Sequence, residues 1–225
     1  NGINARLELL AKQAVSKGEY TLMAGAKIKF GVGSKNTEKD WFLSANAATF
    51  DPIADFRKVQ EEAVKKGFRY AYAIMDRPTF FQMVKSVNVV KFTASFAQNA
   101  LSVAQEPTLA QLNETLRAHG LPEVIIWESY VSEESNSGVK TTTSGWELGN
   151  IHFTDDAHIG ETYYTITSAF SRKDEVTTKV VSDRFILVST WAEQDPEKLS
   201  TKATAFATPV LNNVSRKLIL KTKLS

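Results

Sequence analysis

The stretch Tyr70-Ala71-Tyr72-Ala73-Ile74-Met75-Asp76-Arg77-Pro78-Thr79-Phe80 decides the fold. Its first six residues are apolar or aromatic, which is typical of a buried β-strand. Asp76 then stands where a helix N-cap belongs, because its short side chain can accept a hydrogen bond from the first turn. Phe80, Phe81 and Val84 continue as the apolar face of a helix. The stretch therefore predicts one strand that leads directly into one helix.

Two further helices with strong end signals lie on either side of this unit. The first begins after the N-cap candidate Asp51 and ends at Gly67, where a left-handed residue would close it. Its buried stripe is formed by Ile53, Phe56, Val59 and Ala63. The second begins at Thr108, which forms a capping box with Gln111, and ends before Gly120.

The N-terminal part of the chain predicts a helix followed by two strands. Apolar residues recur at helical spacing at Ile3, Leu7, Leu10 and Ala14. Gly18 follows where it would end this helix. Two strands, 20–23 and 28–32, are joined through Ala24-Gly25. The polar stretch Gly31 to Asp40 is the clearest candidate for a domain boundary.

The second half of the chain predicts strands and no helix. The predicted strands are Val124 to Val131, Ile151 to Phe153, Thr162 to Ala169, Phe185 to Trp191, Leu199 to Thr208 and Lys217 to Leu224. Between the first two lies the polar segment Ser132 to Gly145, which predicts a protruding hairpin or loop. Helices and strands that are segregated along the chain indicate an α+β fold.

Two of these strands have faces that suggest a neighbour. Ala203, Ala205 and Ala207 fall on one side of their strand, and a face of small residues lets a helix lie close. In the last strand, Leu218 and Leu220 share one face, while Lys217, Lys221 and Lys223 fall mostly on the other. Lysines in this pattern are typical of an edge strand that must not pair at random.

Composition excludes several classes of protein. The 225 residues are 43% hydrophobic and 23% charged, with a net charge of +2, which is typical of a globular protein and too even to indicate a nucleic-acid binder. The chain has no cysteine, so disulfides, thiol nucleophiles and thiolate zinc sites are excluded. No apolar run approaches 18 residues, so no membrane span is expected. The sequence begins at Asn1, from which we expect a trimmed or processed chain.

The residues predict no catalytic, cofactor-binding or metal-binding site. The best candidate metal ligands are His152, Asp156 and His158. They are separated by even numbers of positions, so all three would lie on one face of a continuous strand. Asp155-Asp156 is more typical of a turn, however, which would break that alternation. A small metal-dependent hydrolase built on these three residues is therefore only an alternative, and we predict that the protein is not an enzyme.

Several motifs, spread from near residue 4 to near residue 213, resemble the major capsid proteins of tailed bacteriophages, in particular the lambda-like protein E family. They occur in the same order as in the family. The motifs are Arg6-Leu7-Glu8 with Gly18-Glu19-Tyr20-Thr21, Asp51 to Phe56, Ala73 to Phe80, Leu109 to Glu123, Gly160 to Tyr164, Trp191 with Asp195-Pro196, Thr201-Lys202-Ala203 and Pro209 to Asn212.

The resemblance implies the shell fold of tailed-phage capsid proteins, which has a peripheral and an axial domain. In this interpretation, 1–48 hold the spine helix and peripheral-domain strands, 49–190 are mainly the axial domain, and 191–225 are closing strands that return to both. The spine helix, residues 5–17, would rest on the alanine face described above. Family members carry a substantial region ahead of this helix, so we expect the N-terminal arm and the extended hairpin to be missing here.

The resemblance also implies the function. We expect a structural major capsid protein that assembles with copies of itself, as pentamers and hexamers, into an icosahedral shell enclosing double-stranded DNA. Scaffold, portal and decoration proteins are further expected partners; no cofactor and no membrane are involved. The expected location is the virion capsid, with assembly in the bacterial cytoplasm. An encapsulin-like compartment that holds a cargo enzyme is the alternative with the same fold.

The predicted contacts with neighbouring subunits lie in and beside the polar segment Ser132 to Gly145, whose length and polarity suit an element that reaches a neighbour. The candidate contact residues are Ser132, Glu133, Glu134, Asn136, Lys140 and Trp146.

Overall fold

The structure is a computed structural model that describes residues 2–22, 25–94, 105–134, 140–165, 178–182, 186–194 and 197–224. Its helices are α1 (Gly2–Lys17), α2 (Pro52–Lys65), α3 (Arg77–Val84), α4 (Val87–Thr93) and α5 (Leu109–Ala118). The first strands are β1 (Glu19–Thr21), β2 (Lys27–Lys29), β3 (Gly33–Asn36), β4 (Tyr72–Met75), β5 (Glu123–Ile126), β6 (Val131–Glu134) and β7 (Lys140–Thr143). The later strands are β8 (Asn150–Thr154), β9 (Gly160–Thr165), β10 (Thr178–Ser182), β11 (Ile186–Gln194), β12 (Glu197–Thr204), β13 (Phe206–Leu211) and β14 (Lys217–Lys221).

A five-stranded sheet in the order β3-β14-β8-β4-β5 organises these elements. β14 pairs in parallel with β3 and antiparallel with β8, while β4 pairs antiparallel with β8 and in parallel with β5. All residues of β8 are buried. The sheet thus joins strands from the beginning, the middle and the end of the chain.

The two faces of this sheet carry different side chains, because neighbouring residues of a strand point to opposite faces. One face is apolar and packs against α2 to α5 in the main core, with Ala73, Met75, Val124, Ile151, Phe153, Leu218 and Leu220 as its buried residues. On the other face, Ile74 belongs to a second core with Leu10, Ala14 and Val15 of α1. Helices therefore cover both faces of the sheet.

The helix boundaries follow the predicted caps. The Asp51 carboxylate accepts hydrogen bonds from the backbone N–H of Ile53 and of Ala54, each at 3.1 Å. Asp76 accepts one from the backbone of Thr79 at 3.3 Å. Thr108 and Gln111 form the predicted capping box. The predicted unit of strand, cap and helix is confirmed as β4, Asp76 and α3.

The predicted strand Leu199 to Thr208 is wrong as a single element. It is divided at Ala205 into β12, which pairs with β11, and β13, which pairs with β9. Ala203 is exposed in β12, whereas Ala207 lies in β13, the strand that packs on α1. The three alanines do not form one face under the helix, because the chain passes from one sheet to the other between them. The predicted strand Val124 to Val131 is likewise divided into β5 and β6.

The last strand is not the predicted edge strand. β14 lies between β3 and β8, and Lys217 is buried with its Nζ 3.1 Å from Thr154 Oγ1. Lysines in a strand do not distinguish an edge strand from an interior strand of a sheet when a neighbouring hydroxyl can accept a hydrogen bond from the buried ammonium group. The stretch Gly31 to Asp40, expected as a domain boundary, contains β3, which pairs with β14.

The remaining pairs of strands lie outside this sheet. β1 and β2 form the predicted N-terminal hairpin, and β10, β11 and β12 form an antiparallel sheet of three strands. Residues 166–169 and 185, which belong to predicted strands, lie outside the described residues. Within the described ranges, no helix combines the length and the apolar character needed to cross a membrane.

The packing of the main core predicts that replacing two helix phenylalanines with alanine lowers the free energy of unfolding by different amounts. Phe56 is fully buried, and its ring lies 5.0 Å from that of Phe153, whereas Phe81 is 47% exposed. We expect Phe56→Ala to lower the free energy of unfolding by about 3–5 kcal/mol because it leaves a cavity. The matched control Phe81→Ala should cost less than about 1 kcal/mol. Urea unfolding of both variants measures the difference; equal costs would contradict this packing.

Candidate functional site

Within the predicted polar segment Ser132 to Gly145, the structure pairs β6 with β7 as the two strands of a hairpin. The strands pair antiparallel from Val131 opposite Thr143 to Glu134 opposite Lys140. Ser132 is exposed, as is the whole of β7. Glu133 and Glu134 lie in β6, and Asn136 lies outside the described residues. Val131 at the start of β6 is buried, and β6 contacts α1, whereas β7 is exposed along its whole length.

The base of the hairpin is held on α1 by a buried lysine. Lys12 is fully buried and donates a hydrogen bond to the carbonyl oxygen of Ser129. The Ser129 hydroxyl donates to the Glu8 carboxylate, whose Oε1 lies 3.9 Å from Lys12 Nζ. Burial lowers the pKa of Lys12, and the charge of Glu8 opposes that shift. These contacts place the hairpin relative to the helix.

Trp146, the sixth candidate contact residue, supports the same base from inside the chain. Its ring is 6% exposed and lies 6.1 Å from that of Trp127, in the second core with α1. The indole N–H donates to the carbonyl oxygen of Asn150 at 3.0 Å. Little of the Trp146 side chain is accessible to a neighbouring molecule. Its position therefore suits support of the hairpin base better than direct contact.

Glycine at position 145 lets the chain pass close to α1 where the hairpin ends. Gly145 has a φ of +69°, and a Cβ there would lie 2.5 Å from Leu9 Cδ1. Any other residue at position 145 would therefore be strained in the left-handed backbone conformation and would also collide with Leu9.

The face of the sheet under α1 is partly polar. Asn150 donates to the carbonyl oxygen of Ser16 at 2.7 Å, and the Ser16 hydroxyl accepts from the Glu147 N–H at 3.2 Å. His152 is fully buried, and among the described residues neither of its ring nitrogens has a hydrogen-bond partner. Hydrogen bonds as well as apolar contacts thus hold α1 on the sheet.

Burial of His152 lowers its pKa from 6.5 to about 3, since the charged imidazolium would lose its hydration. The nearby ammonium of Lys217 adds to the shift, and the backbone of Val15 opposes it without making a hydrogen bond of normal geometry. Burial also lowers the pKa of Lys217. The folded chain therefore holds a neutral imidazole at this position.

The three residues of the alternative metal site are not brought together. His152 is buried in β8, whereas Asp156 lies in an exposed bend, as the Asp155-Asp156 pair predicts. His158 is exposed, with its Nε2 3.4 Å from the Glu161 carboxylate. Across the described ranges, no three His, Asp or Glu side chains are placed to hold a metal ion. The strand alternation that would place the three side chains on one face ends at this bend.

The contacts between α1 and the hairpin base were not predicted from the sequence. Glu8 and Lys12 are four residues apart on a helix, which indicates a surface ion pair. Their partner Ser129 lies more than a hundred positions away along the chain. One signal points to burial: Lys12 lies three residues after Leu9 and three before Val15, on the side of α1 that these two buried residues occupy.

Comparisons with known proteins agree with this fold. The sequence profile of the family described as phage major capsid protein E matches residues 1–217. Among solved structures, a protein of Escherichia coli CFT073 assigned as a prophage capsid protein is 15% identical, with a TM-score of 0.57 over 97% of this chain and 63% of that chain. A phage-related protein from Bordetella bronchiseptica RB50 is 12% identical, with a TM-score of 0.47 over 85% of this chain and 56% of that chain. The chain spans less than two thirds of either structure. No curated protein matches it.

The close approach at Gly145 predicts a specific loss of stability. We expect Gly145→Ala to lower the free energy of unfolding by about 2–4 kcal/mol, because it combines the strained φ with overpacking against Leu9. Gly31→Ala is the matched control, since Gly31 has the same φ of +69° and nothing within 4 Å of its added Cβ. The control should cost only about 1 kcal/mol. Thermal and urea unfolding measure both; equal losses would contradict the contact with Leu9.

The buried imidazole predicts a loss of stability in acid. Because the pKa of His152 is lower in the folded chain, the unfolded chain binds the proton first, and stability is lost as the pH falls from 6.5 towards about 3. At pH 5 this loss amounts to about 2 kcal/mol. We expect His152→Leu to remove that part of the pH dependence, measured by urea unfolding at pH 7 and pH 5. His158→Leu, at an exposed position, is the control. If His152→Leu leaves the pH dependence of the free energy of unfolding unchanged, the assignment of this dependence to His152 is contradicted.

Proposed function

The chain belongs to the phage major capsid protein E family, and from this membership we propose that it assembles with copies of itself into an icosahedral shell that encloses double-stranded DNA. The observation that carries the proposal is the match of the family profile over residues 1–217. A shell of this kind is built from one subunit whose unlike surfaces meet around five-fold and six-fold axes. The family implies a structural role, which requires no catalytic residue.

Exposed apolar side chains support an associating protein. Tyr163 on β9 and Phe206 on β13 are 57% and 56% exposed, and the pairing of Tyr163 with Thr208 places both rings on one face of that pair of strands. Leu199 of β12 is 73% exposed. Exposed aromatic residues that share a face are typical of contact surfaces. Such surfaces suit a subunit that meets several neighbours.

We propose a domain layout that follows the sheets. The axial domain would be the five-stranded sheet with α2 to α5. The peripheral domain would hold α1 as its spine helix, with β9 to β13. The expected segments 1–48, 49–190 and 191–225 serve as a first approximation only, because the five-stranded sheet takes β3, β8 and β14 from all three of them.

The hairpin of β6 and β7 is the proposed contact element between subunits of a ring. Four of its predicted contact residues, Ser132, Glu133, Glu134 and Lys140, lie in the paired strands, and Asn136 lies between these strands in sequence. The base is fixed on α1, whereas Ser132 and the whole of β7 are exposed. Trp146 would act indirectly, by supporting the base.

The charge of the chain suits enclosure of DNA without tight binding. Its 27 basic and 25 acidic residues leave a net charge of only +2. A strongly basic lining would bind phosphates firmly and oppose the packing and release of a genome. Many modest contacts between subunits would then stabilise the container. Scaffold, portal and decoration proteins are further proposed partners, and the virion capsid is the proposed location after assembly in the host cytoplasm.

Shortening the hairpin tests this assignment in the full-length gene product. Ser132 and Thr142 face each other in the antiparallel pair, so residues 133–141 can be replaced by Asn-Gly, which forms a tight turn between two strands. We expect a folded chain with an unchanged unfolding midpoint to within about 3 °C and at least a tenfold loss of assembled particles. Sedimentation and negative-stain microscopy measure the particles.

The control exchanges residues 135 and 137–139 for Gly or Ser, keeps the length of the segment, and leaves both strands and Asn136 intact; it should assemble at the wild-type yield. Particles of normal size and yield from the shortened hairpin would contradict its role as a contact. Nuclease-protected DNA in wild-type particles would support enclosure of a genome, whereas a co-purifying cargo protein in its place would contradict it and indicate an encapsulin-like compartment.

A further inference from the structure

A basic groove lies between the second half of α2 and the residues that follow α5. Its volume is about 420 Å³, and its charged and exposed lining side chains are Arg57, Glu61, Val64, Lys65, Arg69 and His119. Arg57, Lys65, Arg69 and His119 are all exposed. We name this surface the α2–α5 groove.

Three of the basic side chains lie close to the end of α5. The imidazole of His119 lies 4.7 Å from the ring of Phe92, and the guanidinium of Arg57 lies 5.8 Å from the centre of the same ring. A Cβ placed on Gly120 would lie 3.6 Å from Arg69 Nη1, so the second guanidinium lies beside the next residue of the chain. The groove therefore presents several N–H donors from both arginines and the imidazole in one place.

The described chain does not neutralise these cations. Across the described ranges, Arg57, Lys65 and Arg69 form no ion pair, whereas Lys58 of the same helix meets Glu38. Lys65 lies in the last turn of α2, where a cation suits the helix dipole. Arg57 lies about two turns earlier and Arg69 lies beyond the helix, so the dipole does not explain these two arginines.

We propose that the α2–α5 groove binds the phosphate backbone of double-stranded DNA and faces the interior of the shell. The inference rests on the proposed function, which brings the chain next to a packaged polyanion. Guanidinium groups donate paired hydrogen bonds to phosphate oxygens, which suits Arg57 and Arg69. Arg57 and Lys65 are separated by about 12 Å along the axis of α2. Since one strand of DNA carries a phosphate about every 3.4 Å of its axis, this distance spans several phosphates.

Glu61 keeps such binding weak. It lies four residues from both Arg57 and Lys65 on the same side of α2, and it lines the groove. Its carboxylate repels phosphate and offsets part of the positive charge. A weak contact that is repeated in every subunit can hold DNA against the shell and still release it, because salt ions readily replace each phosphate. The groove is therefore compatible with the nearly even charge of the whole chain.

The groove favours DNA over an acidic protein segment. Double-stranded DNA carries a charge about every 1.7 Å of its axis, which is a higher density than an extended polypeptide reaches. A protein partner would also need an apolar surface to cover. Among the lining residues, Val64 is the one large apolar side chain that is exposed, at 44%.

Fluorescence anisotropy with a labelled DNA duplex tests the groove in the purified chain. The logarithm of the association constant should fall with the logarithm of the salt concentration with a slope of about −3, as about three neutralised phosphates require. R57Q with K65Q and R69Q should weaken binding at low salt at least tenfold and remove most of this slope. K85Q with K202Q and K223Q replaces three exposed lysines outside the groove, leaves the same net charge, and should bind like the wild type. Equal binding by the two triple variants would overturn the inference.

E61Q gives a test with the opposite sign, which a misfolded variant cannot imitate. Loss of the carboxylate should raise the affinity for the duplex about two- to fivefold, and an unchanged or lower affinity would contradict the assignment. Inorganic phosphate should compete no better than its ionic strength accounts for, and poly-L-glutamate should displace the duplex only at a charge concentration at least tenfold above that of unlabelled DNA. Displacement by either competitor at the same charge concentration as DNA would identify a free anion or an acidic protein segment as the ligand and overturn the inference.

Particles of the full-length gene product test which way the groove faces. R57Q with K65Q and R69Q should assemble at the wild-type yield; loss of particles would identify the groove as a contact between subunits and overturn the inference. Because the chain contains no cysteine, V64C introduces one thiol into the groove. In intact particles this thiol should react with a small maleimide and not with a maleimide on a large polymer, whereas dissociated subunits should react with both. Reaction of intact particles with the large reagent, or with neither reagent, would overturn the interior position. Failure of the wild-type gene product to form particles would instead overturn the proposed function, and the anisotropy measurement would still decide whether the groove binds DNA.

Discussion

The burial of β8 on both of its faces is the constraint on which the rest of the structure depends. This strand lies between β14 and β4, and every one of its residues is buried. A strand in that position needs a layer of helices on each side. α2 to α5 supply the apolar layer, and α1 supplies the other through contacts that include a hydrogen bond from the Asn150 side chain to the Ser16 carbonyl oxygen and the buried, neutral His152. Loss of either layer would expose the centre of the sheet to water.

The position of α1 in turn determines where the contact surfaces lie. Lys12 and Glu8 hold Ser129, and Leu9 lies against Gly145, so the two ends of the hairpin are anchored on one helix. For a subunit that must close a ring, a fixed orientation of its contact surfaces matters more than the strength of a single contact.

Local signals in the sequence predicted the elements well, and the resemblance predicted the family. The caps at Asp51, Asp76 and Thr108 and the glycine at Gly18 gave the correct helices, because each depends on residues close in sequence. The errors concern long-range pairing. The lysines of β14 indicated an edge, since the sequence does not show that β3 and β8 flank it or that Thr154 accepts from Lys217. The break at Ala205 was missed for the same reason, as the change of partner strand has no local signal.

The account depends on association of the chain with its own copies, and electron microscopy of the full-length gene product tests this most directly. Expressed and purified without other phage proteins, the protein is expected to form closed shells, tubes or sheets in which five or six subunits surround an axis. A reconstruction should place the hairpin of each subunit against a neighbouring subunit of the same ring. A homogeneous, folded monomer at high protein concentration, with no assembled particles under any salt condition, would contradict the account.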